Sequence, residues 1–240
     1  MTSPLAAGLF AMLLACAAQA SQAVQVARAR VELPGSEWVM LASQEQAGVT
    51  VESGRGIPLE EVSLALVHDR QVRAIVTIGA TAGGAGGKVN WKSGCSAGSE
   101  ALWAHAMRGG NPEDLECAYA SAEFDGADAV DPGSTVAKAL SRLALDLPSA
   151  MVSTSAVGGS RMGALMTLNV LAAADFVGLR ETGALASVPA TVNPQHAAYA
   201  LRLGLIIRDC HASIRCRVEL PALEFAPRAP AEKRVSLAVD

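Results

Sequence analysis

The residues with the clearest chemical potential form the run Gly94-Cys95-Ser96-Ala97-Gly98. Glycines on either side of a serine permit a strained turn that presents the hydroxyl as a nucleophile. Such a serine needs a histidine as general base and an acid that orients this histidine. Asp175, followed by His196 or His211, supplies these residue types in a suitable chain order. The pattern makes Ser96 a candidate nucleophile for an esterase-type reaction.

The five-residue run resembles the nucleophile elbow of the α/β-hydrolases, and this resemblance implies a secreted serine hydrolase. In that fold a buried apolar strand leads into the elbow. The segment that precedes the run carries polar residues at alternate positions instead, namely Lys88, Asn90 and Lys92. We favour the other interpretation of the run, a glycine- and serine-rich loop around a disulfide cysteine.

Four cysteines outside the N-terminal apolar segment predict two disulfide bonds. Their number is even, and an exported chain folds in an oxidising compartment, where cysteines form disulfides. They are Cys95, Cys117, Cys210 and Cys216. Three pairings are possible, and we favour the one that joins sequence neighbours. Each bond would then stabilise the fold by about 2–3.5 kcal/mol on the chain-entropy account.

Neither a metal nor a cofactor is predicted. A zinc site would need the four donors Cys210, His211, Cys216 and His196, but the thiol spacing and the oxidising compartment favour a disulfide. The glycine-rich run 79–88 lacks the first glycine of a phosphate-binding P-loop. Val89 stands where that motif has its magnesium-binding hydroxyl. We expect this run to be a mobile surface loop.

Residues 1–20 predict a signal peptide, because the apolar run Leu5–Ala18 is followed by the small-x-small pattern Ala18-Gln19-Ala20. Cleavage before Ser21 would send the chain to the periplasm of a bacterium or to the medium. The positive charge usual at the start of a signal peptide is missing, since no Lys or Arg precedes Arg28.

Leu13-Leu14-Ala15-Cys16 also resembles the lipobox of bacterial lipoproteins, which implies acylation of Cys16 as the alternative fate of this segment. In either case we predict no transmembrane segment in the mature chain, because a membrane-spanning helix needs about 20 apolar residues.

Composition indicates an ordinary globular protein with 51% hydrophobic residues and a net charge of −4. The absence of a basic patch in the sequence argues against nucleic acid as a partner. We predict one domain over residues 21–225 and a flexible tail over 226–240. The ranges 31–125 and 131–225 follow a similar order of elements, which permits an ancient duplication.

Hydrophobic patterning predicts an α+β fold of antiparallel hairpins or a meander, packed with two or three helices and stapled by disulfides. The best hairpin joins Val62–Val67 to Val72–Ile78 through four polar residues. The best helix spans Asp131–Leu147, with Asp131 as its cap. A further helix begins at the cap Asn193 and ends near Gly204.

Shorter segments give weaker patterns. A helix is predicted over Ser99–Met107 and a strand over Leu115–Phe124, whereas Met151–Val157 and Met162–Val170 should pair as strands. Alternation of apolar residues makes Ile214–Leu220 the clearest strand, with Cys216 facing the core.

The functional prediction follows from these features, because caps, strands and cysteines are well specified whereas every catalytic or cofactor pattern is incomplete. We predict an exported, non-enzymatic module that binds an unidentified protein or envelope partner, or that takes part in envelope assembly. The serine hydrolase with Ser96 as nucleophile is the alternative.

Overall fold

The structure is a computed structural model that describes residues 21–82, 88–89, 91, 95–96, 102–107, 113–179, 188–211, 213 and 215–226, with only the backbone of residue 211. The predicted signal peptide and all but the first residue of the predicted tail lie outside these ranges. Of the described residues 48% are in strands and 16% are helical. The predicted α+β class is therefore wrong, because the described chain is mostly β-sheet with two α-helices packed on it.

The strands are β1 (Gln22–Val26), β2 (Ala29–Leu33), β3 (Trp38–Thr50), β4 (Gly56–His68), β5 (Gln71–Thr81), β6 (Trp103–Ala106), β7 (Leu115–Ala120), β8 (Phe124–Asp125), β9 (Ala150–Gly159), β10 (Leu165–Ala173) and β11 (Cys216–Glu219). The helices are α1 (Thr135–Arg142) and α2 (Pro194–His211), and a short 3-10 helix spans Gly126–Asp128. The large antiparallel sheet has the order β3-β4-β5-β10-β9-β7-β6, with β8 paired to β9. A three-stranded sheet has the order β1-β2-β11.

The predicted hairpin is confirmed and is longer than expected. A two-residue turn joins β4 to β5, and both of its residues, Asp69 and Arg70, have positive φ, as type I′ hairpin turns require. Strand β5 continues to Thr81, so the predicted surface loop does not begin at Gly79. A side chain at Gly79 would collide with Thr167 on β10, which explains a glycine inside this strand. Residues 83–87 lie outside the described part.

Both principal helices exist, with shifted ends. Helix α1 is capped by Ser134, whose Oγ accepts a hydrogen bond from the Ala137 amide at 3.1 Å. Asp131 instead accepts from the Gly133 amide at 2.9 Å, so the predicted helix Asp131–Leu147 is too long at both ends. The cap of α2 is confirmed, because Asn193 Oδ1 accepts from the Gln195 amide at 2.8 Å.

Helix α2 does not end near Gly204 but runs through it to residue 211. A Cβ at Gly204 would overlap the Met107 sulfur and touch Ala118 of β7. The glycine is therefore a site of close helix-to-sheet approach rather than a helix terminus. Among the described residues, neither helix has the length and apolar character needed to cross a membrane.

Two shorter predictions need correction, and two strands were not predicted. The segment predicted as the helix Ser99–Met107 contains the edge strand β6, and residues 97–101 lie outside the described part. The clearest predicted strand, Ile214–Leu220, is β11 over Cys216–Glu219, with Ile214 outside the described residues; Cys216 is partly buried and packs against the core. Strands β1 and β2 escaped prediction, although Ala29, Val31 and Leu33 alternate as a half-buried strand should.

The main core lies between one face of the large sheet and a layer formed by α2 and the small sheet. Tyr199, Leu203 and Ile207 of α2 are fully buried against apolar residues such as Leu168 and Val170 of β10. On the opposite face, α1 packs over Leu41, Ala65 and Ile75 of β3, β4 and β5. This unequal coverage leaves room over β7, β9 and β10, on the face opposite α2.

Candidate ligand-binding site

Polar side chains form a row across three central strands, on the sheet face opposite α2. The strand register sets Asn169 of β10 opposite Ser155 of β9, and Ser155 opposite Tyr119 of β7. Directly opposed residues of antiparallel strands share one face of the sheet. Their neighbours in β9, Thr154 and Ala156, are buried on the other face. The row thus lies on paired strands whose other face is part of the core.

The row continues across β5 and β4, on the sheet face that α1 covers in part. Asn169 also faces Thr77 of β5, which in turn faces Ser63 of β4. The hydroxyls of Ser63 and Thr77 lie 3.0 Å apart and satisfy each other, and Ser63 is only 2% exposed. The accessible part of the row therefore begins at Asn169.

A cavity of about 750 Å³ lies over the accessible residues Asn169, Ser155 and Tyr119. Its wall is the segment 121–131, which leads from β7 toward α1. The short strand β8 pairs this wall with β9. Two further backbone hydrogen bonds hold it: the Ser121 amide donates to the Ser153 carbonyl at 2.9 Å, and the Gly126 amide donates to the carbonyl of Ser149, just before β9, at 2.9 Å. The cavity is thus bounded by backbone-paired elements.

Two serines of the cavity are fixed by internal hydrogen bonds. Ser121 Oγ accepts from the Ser153 amide at 2.8 Å and donates to the Ala122 carbonyl at 2.7 Å. Ser153 Oγ donates to Asn169 Oδ1 at 3.1 Å, which orients the Asn169 amide with its NH₂ group free to donate elsewhere. These bonds make the floor of the cavity a defined surface.

Three groups on the floor are left unused by the protein. Within the described part of the chain, the Tyr119 hydroxyl, the Ser155 hydroxyl and the Asn169 NH₂ group make no hydrogen bond. Burial raises the pKa of Tyr119, so its hydroxyl stays protonated at neutral pH and can both donate and accept. The floor therefore offers neutral donors and acceptors to solvent or to a ligand.

The electrostatic character of the cavity is neutral to negative. None of the described residues that line it is a lysine, an arginine or a histidine. The exposed carboxylates of Glu123, Asp128 and Asp131 lie on its wall side. Such a site repels anions and gives them no cation to pair with. Phosphates and carboxylates are consequently poor ligands for it.

The residues of the hydrolase pattern do not come together at this cavity. Ser96 is exposed, does not line the cavity and makes no hydrogen bond to a described histidine. His196 is 4% exposed on α2, and its Nε2 lies 2.7 Å from the Phe176 carbonyl oxygen. Asp175 accepts a hydrogen bond from Arg73 at 2.7 Å. The side chain of His211 lies outside the described residues.

The expectation of two disulfide bonds is confirmed. Cys95 is joined to Cys117, and Cys210 is joined to Cys216. The latter pair therefore has no free thiolate for a zinc ion. In the described part of the chain no group of three or more His, Cys, Asp or Glu residues could hold a metal.

Sequence patterns did not single out the residues of the cavity floor. One signal was available, because Ser153 and Ser155 alternate with buried residues within a segment predicted as a strand. Thr167 and Asn169 show the same spacing in β10. Only the register of the strands places these residues side by side with Tyr119.

Comparison with known proteins adds no functional assignment. No family model matches the chain, no curated protein matches it, and no solved structure matches it. The interpretation of the cavity therefore rests on the chemistry of its own residues.

Proposed function

We propose that this protein is an exported, non-enzymatic binding module that holds a small polar molecule in the cavity over β7, β9 and β10. The observation that carries the proposal is a concave site of about 750 Å³ whose floor presents unused neutral hydrogen-bonding groups. Ligand sites in proteins occupy about 300–1,000 Å³ and place a few polar groups on a mostly pre-formed surface.

A solvated sheet face is the competing explanation, because antiparallel sheets often have one face in water. The wall formed by residues 121–131 argues against it. This wall makes the face concave, and the bonds between Ser121 and Ser153 tie it to the floor. A pre-formed cavity loses little conformational entropy when it binds a ligand, which favours binding.

Binding is favoured over catalysis by the residues of the cavity. Its described lining contains no histidine, lysine or cysteine that could act as a base or nucleophile beside a serine. Ser153 donates to an amide oxygen rather than to a base. The floor can therefore orient a molecule by hydrogen bonds, and the carboxylates of the described lining, Glu123, Asp128 and Asp131, are exposed on the wall.

Export is supported by the N-terminal pattern and by the two disulfides, which accord with an oxidising compartment. The mature N-terminus tests this part of the proposal. We expect intact-mass analysis of protein recovered from the envelope or medium to give a chain that begins at Ser21. An acylated Cys16 would place the module on a membrane surface, and an uncleaved chain would refute export.

Ligand binding is tested by native mass spectrometry of the protein purified from its own cells without denaturation. We expect a small-molecule adduct on the wild type that is lost in Ser155→Leu, whose larger side chain fills the floor of the cavity. Ser43→Leu, an equivalent change at an exposed position of β3, is the matched control and should keep the adduct. An adduct retained in both variants would contradict the proposal, and so would a wild type that carries no adduct and binds no small polar probe in titration.

The same preparation tests the hydrolase alternative. A fluorophosphonate probe labels activated serines, and we expect no labelling of this protein under conditions that label a control esterase. Labelling that disappears in Ser96→Ala would overturn the non-enzymatic assignment.

A further inference from the structure

The chemistry of the cavity floor also indicates the class of ligand. We infer that the cavity binds a neutral sugar of one or two rings, an inference that rests on the proposed function. The argument uses the charge of the site, the balance of its donors and acceptors, and its apolar surfaces.

The charge of the cavity lining excludes anionic ligands. Nucleotides, sugar phosphates, amino acids and fatty acids all carry a phosphate or carboxylate that needs a cationic partner when it is bound. The described lining of the cavity offers none, whereas Glu123, Asp128 and Asp131 would repel such groups. Neutral and cationic molecules remain.

The floor then separates neutral polyols from cationic amines. The bond from Ser153 occupies Asn169 Oδ1, which leaves the NH₂ group of this cavity-lining residue, a pure donor, available for a ligand. An ammonium ion is also a pure donor, so it gains no hydrogen bond from this group and can pair only with the Ser155 and Tyr119 oxygens or with the carboxylates of the wall. A sugar hydroxyl accepts from Asn169 and donates to another oxygen, for example that of Ser155 or Tyr119. The donor set of the floor therefore matches hydroxyl groups.

Apolar side chains complete the match. Tyr119 and Phe124 bring aromatic rings to the cavity, and Leu171 and the exposed Leu102 bring aliphatic surface. Sugar rings carry C–H groups that pack against such surfaces while their hydroxyls bond to polar neighbours. A ligand without hydrogen-bonding atoms would leave Asn169 and Ser155 desolvated and unpaired. A wholly apolar ligand is therefore disfavoured by this floor.

The test measures binding to the folded, oxidised protein by isothermal titration and saturation-transfer NMR. The neutral probes are glucose, galactose, mannose, maltose, cellobiose and lactose, used up to about 10 mM, ten times the Kd of a weak millimolar complex. Glucuronate and glucosamine are matched anionic and cationic forms of the glucose ring, and spermidine is a polyamine. We expect at least one neutral sugar to bind, more tightly than glucuronate and spermidine.

Two variants link the binding to the cavity floor. Asn169→Asp replaces the NH₂ donors by a carboxylate oxygen, so we expect neutral-sugar affinity to fall at least tenfold and spermidine affinity to rise. Tyr119→Phe removes one hydroxyl and should weaken the sugar severalfold without changing the fold. Ser43→Ala, on the exposed face of β3, should change neither affinity. A merely structural role of Asn169 would weaken all probes alike, which would overturn the inference.

The outcomes distinguish the inference from the proposed function. If spermidine or glucosamine binds best and Ser155→Leu abolishes this binding, the cavity is a ligand site but the sugar assignment is wrong. If no neutral sugar binds while the native adduct is present, the sugar assignment is likewise wrong and the binding function stands. If neither an adduct nor any probe is bound, both fail.

Discussion

His196 is a buried titratable side chain with a defined environment. Its ring stacks on Phe176 with the centroids 5.3 Å apart, and its Nε2 contacts the Phe176 carbonyl. Tyr199, one turn further along α2, closes the same cluster by an edge-to-face contact with Phe176. Burial lowers the pKa of His196, because desolvation disfavours the charged ring more than the hydrogen bond to Phe176 favours it.

The lowered pKa of His196 predicts acid sensitivity. Below the unfolded-state pKa of about 6.5, this histidine is protonated in the unfolded chain. The folded chain takes up the same proton only at lower pH, so protonation favours the unfolded state. The contribution of His196 to the free energy of unfolding should therefore be fully present above the unfolded-state pKa and fall as the pH drops below it. Urea unfolding at about pH 5 and about pH 7.5 measures the difference.

Replacement of the histidine isolates its contribution. His196→Gln should lose part of the pH dependence below about pH 6.5, whereas His105→Gln, at an exposed position of β6, should keep it. Equal pH dependence in the wild type and in both variants would show that another group is responsible.

At the scale of elements, the wall of the cavity depends on one close backbone approach. Gly126 begins the short 3-10 helix, and a Cβ there would lie 1.8 Å from the Pro148 carbonyl oxygen. Because this neighbour is backbone rather than a flexible side chain, the wall would have to move away from β9.

We expect Gly126→Ala to lower the free energy of unfolding by about 1–3 kcal/mol, the usual cost of forced overpacking. Gly133→Ala, in the same connection, meets only Asp131 oxygens at 3.5 Å or more and is the control. Urea unfolding measures both variants. Equal stability of the two would mean that the wall shifts without cost.

The N-terminus of α2 provides a second element-scale prediction. Asn193 Oδ1 satisfies the Gln195 amide, an otherwise unpaired donor in the first turn of the helix. Asn193→Ala should lower the free energy of unfolding by about 1 kcal/mol, whereas Asn193→Asp keeps an acceptor and should stay close to the wild type. Thermal unfolding of the two variants checks this order, and an equally large loss in both would contradict the cap.

At the scale of the whole molecule, the disulfides join parts of the chain at different sequence separations. Cys95–Cys117 spans 22 residues, and Cys210–Cys216 spans 6. On the chain-entropy account, a longer closed loop constrains the unfolded chain more strongly. We expect Cys95→Ala with Cys117→Ala to lower the free energy of unfolding by about 3 kcal/mol, and the other double variant by about 2 kcal/mol.

Denaturant unfolding of the two double variants measures these losses, and wild-type protein treated with a reductant gives their combined effect. The reversed order would show that strain or packing, rather than loop closure, dominates the contribution of these bonds.

Much of the local structure could be predicted from the sequence because its causes are local. The polar turn Asp69-Arg70, the cap Asn193 and the alternation within β9 each act over a few residues, and all of them exist as expected. The helix prediction at residues 99–107 failed for the opposite reason. Only pairing with β7 makes residues 103–106 a strand.

The sequence by itself determined the β4–β5 hairpin, the strand β9, the Asn193 cap of α2 and the number of disulfide-forming cysteines, because these depend on patterns within short stretches of the chain. Tertiary structure decided that the fold is mostly β and that Tyr119, Ser155 and Asn169 share one cavity floor. These residues are distant in the chain, and only the register of β7, β9 and β10 brings them together. Packing between distant elements likewise decides which part of the sheet α1 and α2 leave uncovered. No local sequence pattern predicts this.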